Sequence, residues 1–311
     1  MKNAALLLTT LACGLCAAQE AAPAPSPAPQ PAPQAQPEIQ TGTMFRDARC
    51  HQVLTYITIN GVKALMMLDT GASHTVLSKK FVDTKLPGAQ KMDTSGMQFS
   101  SASSRQRPEL YVVKLDTAAT AGEKTVFEQP VLCLPLDGVQ QSMASPIDGI
   151  LGMDILGWLP FTFDLRNGDN CHWGLPEDVD TMVPMEPLQV DQMQRPHMQV
   201  DTGTPEQPHP TVLLLDSGSS VTYMPAAAWG MGASDAKATV GVSDVNGGRF
   251  MNIGLGKPRA LTLGKGVQTR PLTPQLQPGP NGVIGIDALQ GLRFVHNPQR
   301  KDPARFFLIS K

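Results

Sequence analysis

Hydrophobic and polar residues alternate over Val53–Ile59, a pattern that predicts a strand with one buried face. Asn60-Gly61 follows, the strongest short signal for a tight hairpin turn. The return strand, Val62 to Leu68, is apolar enough to lie inside a sheet and runs directly into Asp69-Thr70-Gly71-Ala72-Ser73. The same order occurs again further on. Met198-Gln199-Val200, a turn from Asp201 to Pro210 and an apolar run from Thr211 to Leu215 lead into Asp216-Ser217-Gly218-Ser219-Ser220. Each copy has a second matched element downstream, Asp148-Gly149-Ile150-Leu151-Gly152-Met153-Asp154 in the first and Asn281-Gly282-Val283-Ile284-Gly285-Ile286-Asp287 in the second. In both, two apolar residues precede a Gly, and a short helix or turn is expected next. The pattern predicts two similar halves made of strands, hairpins and sharp turns.

The 311 residues carry 28 Gly and 28 Pro but only 5% aromatic residues, which suits a turn-rich β protein better than a helical bundle. With 41% apolar and 17% charged residues the balance is globular, and the length accommodates two lobes. The 25 basic and 27 acidic residues give a formal charge of -2, which leaves no electrostatic footprint for nucleic acid.

Residues 1–18 read as an export signal. Lys2 supplies the charge, Ala4 to Ala12 the short apolar core, and Cys16-Ala17-Ala18 the small residues of a cleavage site. The apolar run is too short to span a bilayer. The expected location is therefore secreted or periplasmic, with lipoprotein anchoring through Cys13 or Cys16 the alternative. Residues 19–40, with seven prolines between Pro23 and Pro37, read as an extended linker. The two halves then occupy 41–178 and 179–311, joined by a polar stretch from about Gly174 to Pro196. Beyond the signal three of the five cysteines remain, Cys50, Cys133 and Cys171, enough for one disulfide at most. No pair among these three has CxxC spacing, there is no HExxH, and the six histidines are scattered, so neither a metal nor another cofactor is expected.

An apolar pair followed by Asp-Thr/Ser-Gly-Ala/Ser, with a later apolar-apolar-Gly, resembles the signature of the aspartic proteases. It occurs here twice in one order. The single chain with two copies resembles the pepsin-like branch, and the short lobes with Asp-Thr-Gly-Ala resemble the retropepsin-like branch. The resemblance implies an all-β fold of two barrel lobes about an internal pseudo-twofold, with few short helices. It implies an endopeptidase acting on peptide or protein substrates as a monomer, with Asp69 and Asp216 as the catalytic pair. Thr70, Gly71, Ala72, Ser217, Gly218 and Ser219 then support the two active-site loops, and Thr70 and Ser217 correspond to paired hydroxyls that bond across the lobes. The apolar-apolar-Gly segments pack behind those loops. A substrate-covering hairpin is expected about 30 residues past Asp69, with its tip at Ser100, Ser101, Ala102, Ser103 and Ser104. Its symmetric counterpart lies at Asp244 to Gly248.

A third Asp-Thr-Gly, at Asp201, occupies the place of the Asn60-Gly61 turn and is expected to be a solvated turn. The alternatives are a non-catalytic peptide-binding module of the same fold and a serine hydrolase using a Ser near His74 or Ser219; the latter has no GxSxG elbow to support it. Within the pair, the Ser219 hydroxyl is expected to donate to Asp216 and favour its ionised form, which would leave the shared proton on Asp69.

Overall fold

The computed structural model describes residues 6–8, 12–14, 42–94, 99–101, 108–117, 126–166, 170–179, 187–202, 209–229, 240–244, 249–255, 258–263, 266–277, 281–300 and 305–310. The linker at 19–40 lies outside the described residues.

The first half is a sheet of eight strands. Their order is Met44–Arg46, Val53–Ile59, Val62–Leu68, Gly149–Leu151, Val76–Ser78, Val126–Leu134, Glu109–Asp116 and Gln90–Lys91. A further pairing of Thr58 with Asp116 and Ile59 with Leu115 curls the sheet back on itself. The Asn60-Gly61 hairpin forms as the sequence predicts. Both residues have positive φ, 49° and 81°, the requirement of a type I′ turn. Val53, Ile57, Ile59, Met66 and Leu68 are buried in the main core, while Leu54 and Met67 face a second apolar cluster with Ile150 and Val139. Both faces of the central strands are therefore covered, which explains why Val62–Leu68 reads as a continuous apolar run.

The second half repeats this plan. Pro196–Asp201 pairs with Pro210–Leu215, and Pro210–Leu215 pairs in parallel with Val283–Ile284, as Val62–Leu68 pairs in parallel with Gly149–Leu151. Asp201 closes its hairpin by accepting from the His209 backbone N–H at 2.9 Å, the turn role expected of the third Asp-Thr-Gly. Val240–Asp244 and Arg249–Leu255 form the antiparallel pair expected for the symmetric hairpin, whose tip at 245–248 lies outside the described residues. The polar stretch between the halves is partly sheet. Pro187–Val190 pairs with Pro196–Asp201, an assignment the Pro, Asp and Gln around it conceal.

The helices are short: Lys79–Lys85, Asp137–Gln140 and Met153–Leu156 among the described residues. None is long and apolar enough to cross a membrane. Cys50, Cys133 and Cys171 are all buried thiols rather than disulfide partners, and burial pushes Cys133 up to about 12.

A four-stranded sheet ties the halves together. It takes Asn170–Trp173 and Phe161–Asp164 from the first and Leu292–His296 and Phe306–Ser310 from the second. Phe161, Phe163, Phe294 and Phe306 are fully buried in it. His296 lies among these rings, 5.1 Å from Phe161 and 4.7 Å from Phe306 between centroids, and its Nδ1–H donates to the Leu159 carbonyl at 2.9 Å. Burial lowers the His296 pKa to about 4. The unfolded chain takes up this proton below about 6.5, so stability should fall as pH drops from there towards 4, by up to about 3 kcal/mol from this group. Chemical denaturation over that window should show the slope, and His296→Leu should flatten it. An equally steep slope in the variant would locate the sensitivity elsewhere.

Candidate active site

Each Asp-Thr/Ser-Gly motif begins where a buried strand ends. The Asp69 N–H donates to the Leu151 carbonyl at 3.0 Å and the Asp216 N–H to the Ile284 carbonyl at 2.9 Å, so the apolar-apolar-Gly strands hold the two loops in the same way. Past the Asp the chain turns back on the carboxylate. Asp69 Oδ1 accepts from the N–H groups of Gly71 and Ala72, both at 2.8 Å. Asp216 Oδ1 accepts from Gly218 at 2.8 Å and Ser219 at 3.1 Å.

Thr70 and Ser217 lock the loops to each other. The Thr70 hydroxyl donates to the Leu215 carbonyl at 2.8 Å and accepts from the Ser217 N–H at 3.1 Å. The Ser217 hydroxyl donates to the Leu68 carbonyl at 2.9 Å and accepts from the Thr70 N–H at 3.1 Å. All four residues of the network are buried, so the hydrogen bonds are satisfied only when the two halves are together.

The result brings Asp69 and Asp216 face to face. Both are completely buried, and their carboxyls lie within hydrogen-bond reach of one another. The Oδ2 of each receives no hydrogen bond among the described residues. Each carboxyl also rests against the glycine of the opposite loop. A Cβ on Gly71 would lie 2.6 Å from Asp216 Oδ2, and one on Gly218 would lie 2.8 Å from Asp69 Oδ1. Burial, then the neighbouring Asp69 carboxylate, push Asp216 well above the usual carboxylate range. Burial raises Asp69 too, while hydrogen bonding from Asp216 first, then the N–H groups of Ala72 and Gly71, and last the charge of Arg195 oppose the rise. Two carboxyls this close cannot both ionise at little cost, so one proton is shared.

Along the first half, residues 55–155 match the family model of the aspartyl proteases. Among solved structures, the crystal structure of basic 7S globulin from soybean matches with a TM-score of 0.51 at 13% identity, over 86% of this chain and 94% of that one. The fold is aspartic protease-like. No curated protein matches the chain.

Within the aspartic protease-like fold, one expected hydrogen bond does not form. The Ser219 hydroxyl donates to the Val221 carbonyl at 2.7 Å, not to Asp216. Only its backbone N–H reaches the carboxylate, and Ala72 supplies the same bond to Asp69. The loop curls tightly enough that Oγ meets a main-chain acceptor first, so the difference between Ala72 and Ser219 does not distinguish the two carboxyls. Of the expected covering hairpin, Ser100 and Ser101 lie in the short strand Phe99–Ser101, which pairs in parallel with Leu6–Leu8. The expected return strand lies within Glu109–Asp116, which pairs with Gln90–Lys91 and Val126–Leu134; the two expected arms do not pair with each other among the described residues. Ala102, Ser103 and Ser104 lie outside the described residues.

Several residues around the site were not singled out by sequence. Thr75 and Thr222 each stand six residues past the motif Asp. The Thr75 hydroxyl donates to Asp154 at 2.7 Å and the Thr222 hydroxyl to Asp287 at 2.6 Å. Each hydroxyl also accepts from the glycine of the apolar-apolar-Gly element, Gly152 at 3.2 Å and Gly285 at 3.1 Å. Burial raises the pKa of both Asp154 and Asp287. Their signal was the repeat itself, since Asp154 and Asp287 close the matched elements in both halves. Beside the first loop lies a cavity of about 380 Å³ lined by Ser73, His74, Asp154, Met193 and the exposed Trp158. No group of side chains suited to a metal ion forms among the described residues.

Proposed function

We propose that the protein is an exported aspartic endopeptidase, with lobes over 41–178 and 179–311, that hydrolyses peptide bonds with water activated between Asp69 and Asp216. The observation that carries this reading is the pair of facing buried carboxyls, each with one oxygen fixed by two backbone N–H groups and the other receiving no hydrogen bond among the described residues. In the singly protonated pair, the ionised carboxyl takes a proton from the water as it attacks the peptide carbonyl. The protonated carboxyl gives its proton to the carbonyl oxygen, forming a tetrahedral diol without a covalent enzyme intermediate. Collapse of the diol returns a proton to the pair and delivers one to the departing amine, which restores the starting state.

The family match over residues 55–155 supports protease chemistry. The signal-like residues 1–18 support export. Both motif loops reside in one chain and already bond across the pseudo-twofold, so a monomer suffices. The substrate is an extended peptide, and the exposed Trp158 beside the first loop offers an apolar surface for its side chains.

The test is cleavage of a diverse peptide library. Cleavage should be optimal at acidic or mildly acidic pH and blocked by a statine-type hydroxyl analogue, which mimics the tetrahedral diol. Serine-reactive phosphonates and metal chelators should not inhibit. Binding of the peptides without turnover would favour the non-catalytic module instead.

A further inference from the structure

The motif residues themselves treat Asp69 and Asp216 alike, so any difference between the carboxyls must come from further out. The strand registers identify where to look. Leu54 pairs with Met67 and His197 pairs with Leu214, and Met67 and Leu214 each stand two residues before a motif Asp. Leu54 and His197 are therefore equivalent, and so are Gln52 and Arg195, two residues earlier in each half.

These two side chains perform the same act across the pseudo-twofold. Gln52 Nε2 donates to the Gly218 carbonyl at 2.8 Å, and Arg195 Nη1 reaches the Gly71 carbonyl at 3.5 Å. Both are buried, with Gln52 at 0% and Arg195 at 7% exposure. Position and target match, but charge does not. A neutral amide stands behind the loop of Asp216 and a guanidinium behind the loop of Asp69.

We propose that the exchange of Gln52 for Arg195 at this symmetric position breaks the equivalence of the dyad, so that Asp69 carries the negative charge and Asp216 holds the shared proton. Arg195 is a positioning residue: it acts on the reacting carboxyls through space and through the Gly71 backbone. This assignment rests on the endopeptidase reading, in which Asp69 then activates the water and Asp216 protonates the carbonyl oxygen.

The groups surrounding the guanidinium are consistent with this polarity. Asp191 takes Nε at 2.7 Å and pairs with Nη2 as well, which leaves Nη1 turned towards the motif loop. The ion pair is thus oriented with its positive end at the dyad. Arg195 also acts on His74, where burial favours the neutral ring, Asp154 opposes it, and Arg195, the smallest of the three effects, adds to burial. Asp154 is held by Thr75 and Gln129 on the far side of the loop. The opposing effects on Asp69 and Asp216 described above run in the same direction: Arg195 favours the ionised form of Asp69, while Asp69 as an anion favours the protonated form of Asp216.

The experiment removes the ion pair as a unit, because Arg195→Gln alone would strand Asp191. In Arg195→Gln/Asp191→Asn, both limbs of the kcat/KM pH profile should move upward by about half a pH unit or more, since a cation that favours ionised carboxyls has gone. Arg195→Lys keeps the charge and should keep the wild-type profile, which a purely structural role would not secure. In parallel, NMR titration of ¹³Cγ-labelled aspartate, assigned with Asp69→Asn and Asp216→Asn, reads the proton directly. Asp69 should be the ionised partner at mid-profile, and the double variant should bring the two carboxyls closer in behaviour. An unmoved profile in the double variant, or Asp69 as the protonated partner, overturns the assignment. Absence of statine-sensitive hydrolysis in the wild type would instead overturn the endopeptidase reading, and the carboxyl titration would still decide where the proton resides.

Discussion

Asp69→Asn and Asp216→Asn should each lower kcat/KM by about a thousandfold or more, the range in which a positioned acid or base contributes. An amide neither accepts the water's proton nor donates one with useful acidity, so either variant leaves half of a two-part proton transfer. The fold should survive. An Asn Oδ1 can still accept the two backbone N–H groups that Asp69 holds through Gly71 and Ala72, or Asp216 through Gly218 and Ser219. Replacing one carboxyl also removes the mutual repulsion that forces the pair to share a proton, which relieves a cost rather than adding one. Melting temperatures at or above wild type, alongside lost turnover, are the expected pair of results. Asp201→Asn is the internal control. It keeps the oxygen that caps His209 and should retain nearly full activity. Retention of more than a tenth of wild-type turnover in either dyad variant would rule out the two-carboxyl mechanism.

The contrast among the three Asp-Thr/Ser-Gly copies shows what the sequence carried. The motif tripeptide is too short to identify a site. What separated Asp69 and Asp216 from Asp201 was their place after a buried strand and ahead of a matched apolar-apolar-Gly element, and the structure puts all of those elements where the repeat implies. The cross-lobe hydroxyls Thr70 and Ser217 were legible through the resemblance alone, since nothing in spacing says that residues 147 apart bond to each other. Three things were not legible. The four-stranded sheet joining the halves draws its strands from distant segments, so no local pattern announces it. The Ser219 hydroxyl lies close to Asp216 in sequence, but the turn aims its Oγ at the Val221 carbonyl, a direction that sequence spacing does not carry. Gln52 and Arg195 escaped because their equivalence depends on strand register, which is fixed by pairing rather than by composition.

Gly71→Ala and Gly218→Ala should each cost at least about a hundredfold in kcat/KM although neither residue takes part in proton transfer, since a displacement of about 1 Å at a reacting group has that consequence. The reason is the crossed packing of the loops. The new methyl of Gly71→Ala would lie 2.6 Å from Asp216 Oδ2 and that of Gly218→Ala 2.8 Å from Asp69 Oδ1, well inside contact distance. Neither carboxyl can retreat easily, because Gly218 and Ser219 pin Asp216 and Gly71 and Ala72 pin Asp69. Relief has to come from separating the two loops, which are joined by the bonds of Thr70 and Ser217. The overpacking should therefore also lower stability by about 1–3 kcal/mol, seen as a shift in the denaturation midpoint. Gly88→Ala is the matched control, since a methyl there meets no atom within 4 Å, and it should leave both activity and stability unchanged. The pseudo-twofold adds a sharper requirement. The two motif variants should fail to a similar extent, because each glycine supports the carboxyl of the other loop. Full activity in either would mean that the carboxyls do not approach each other as closely as the structure places them.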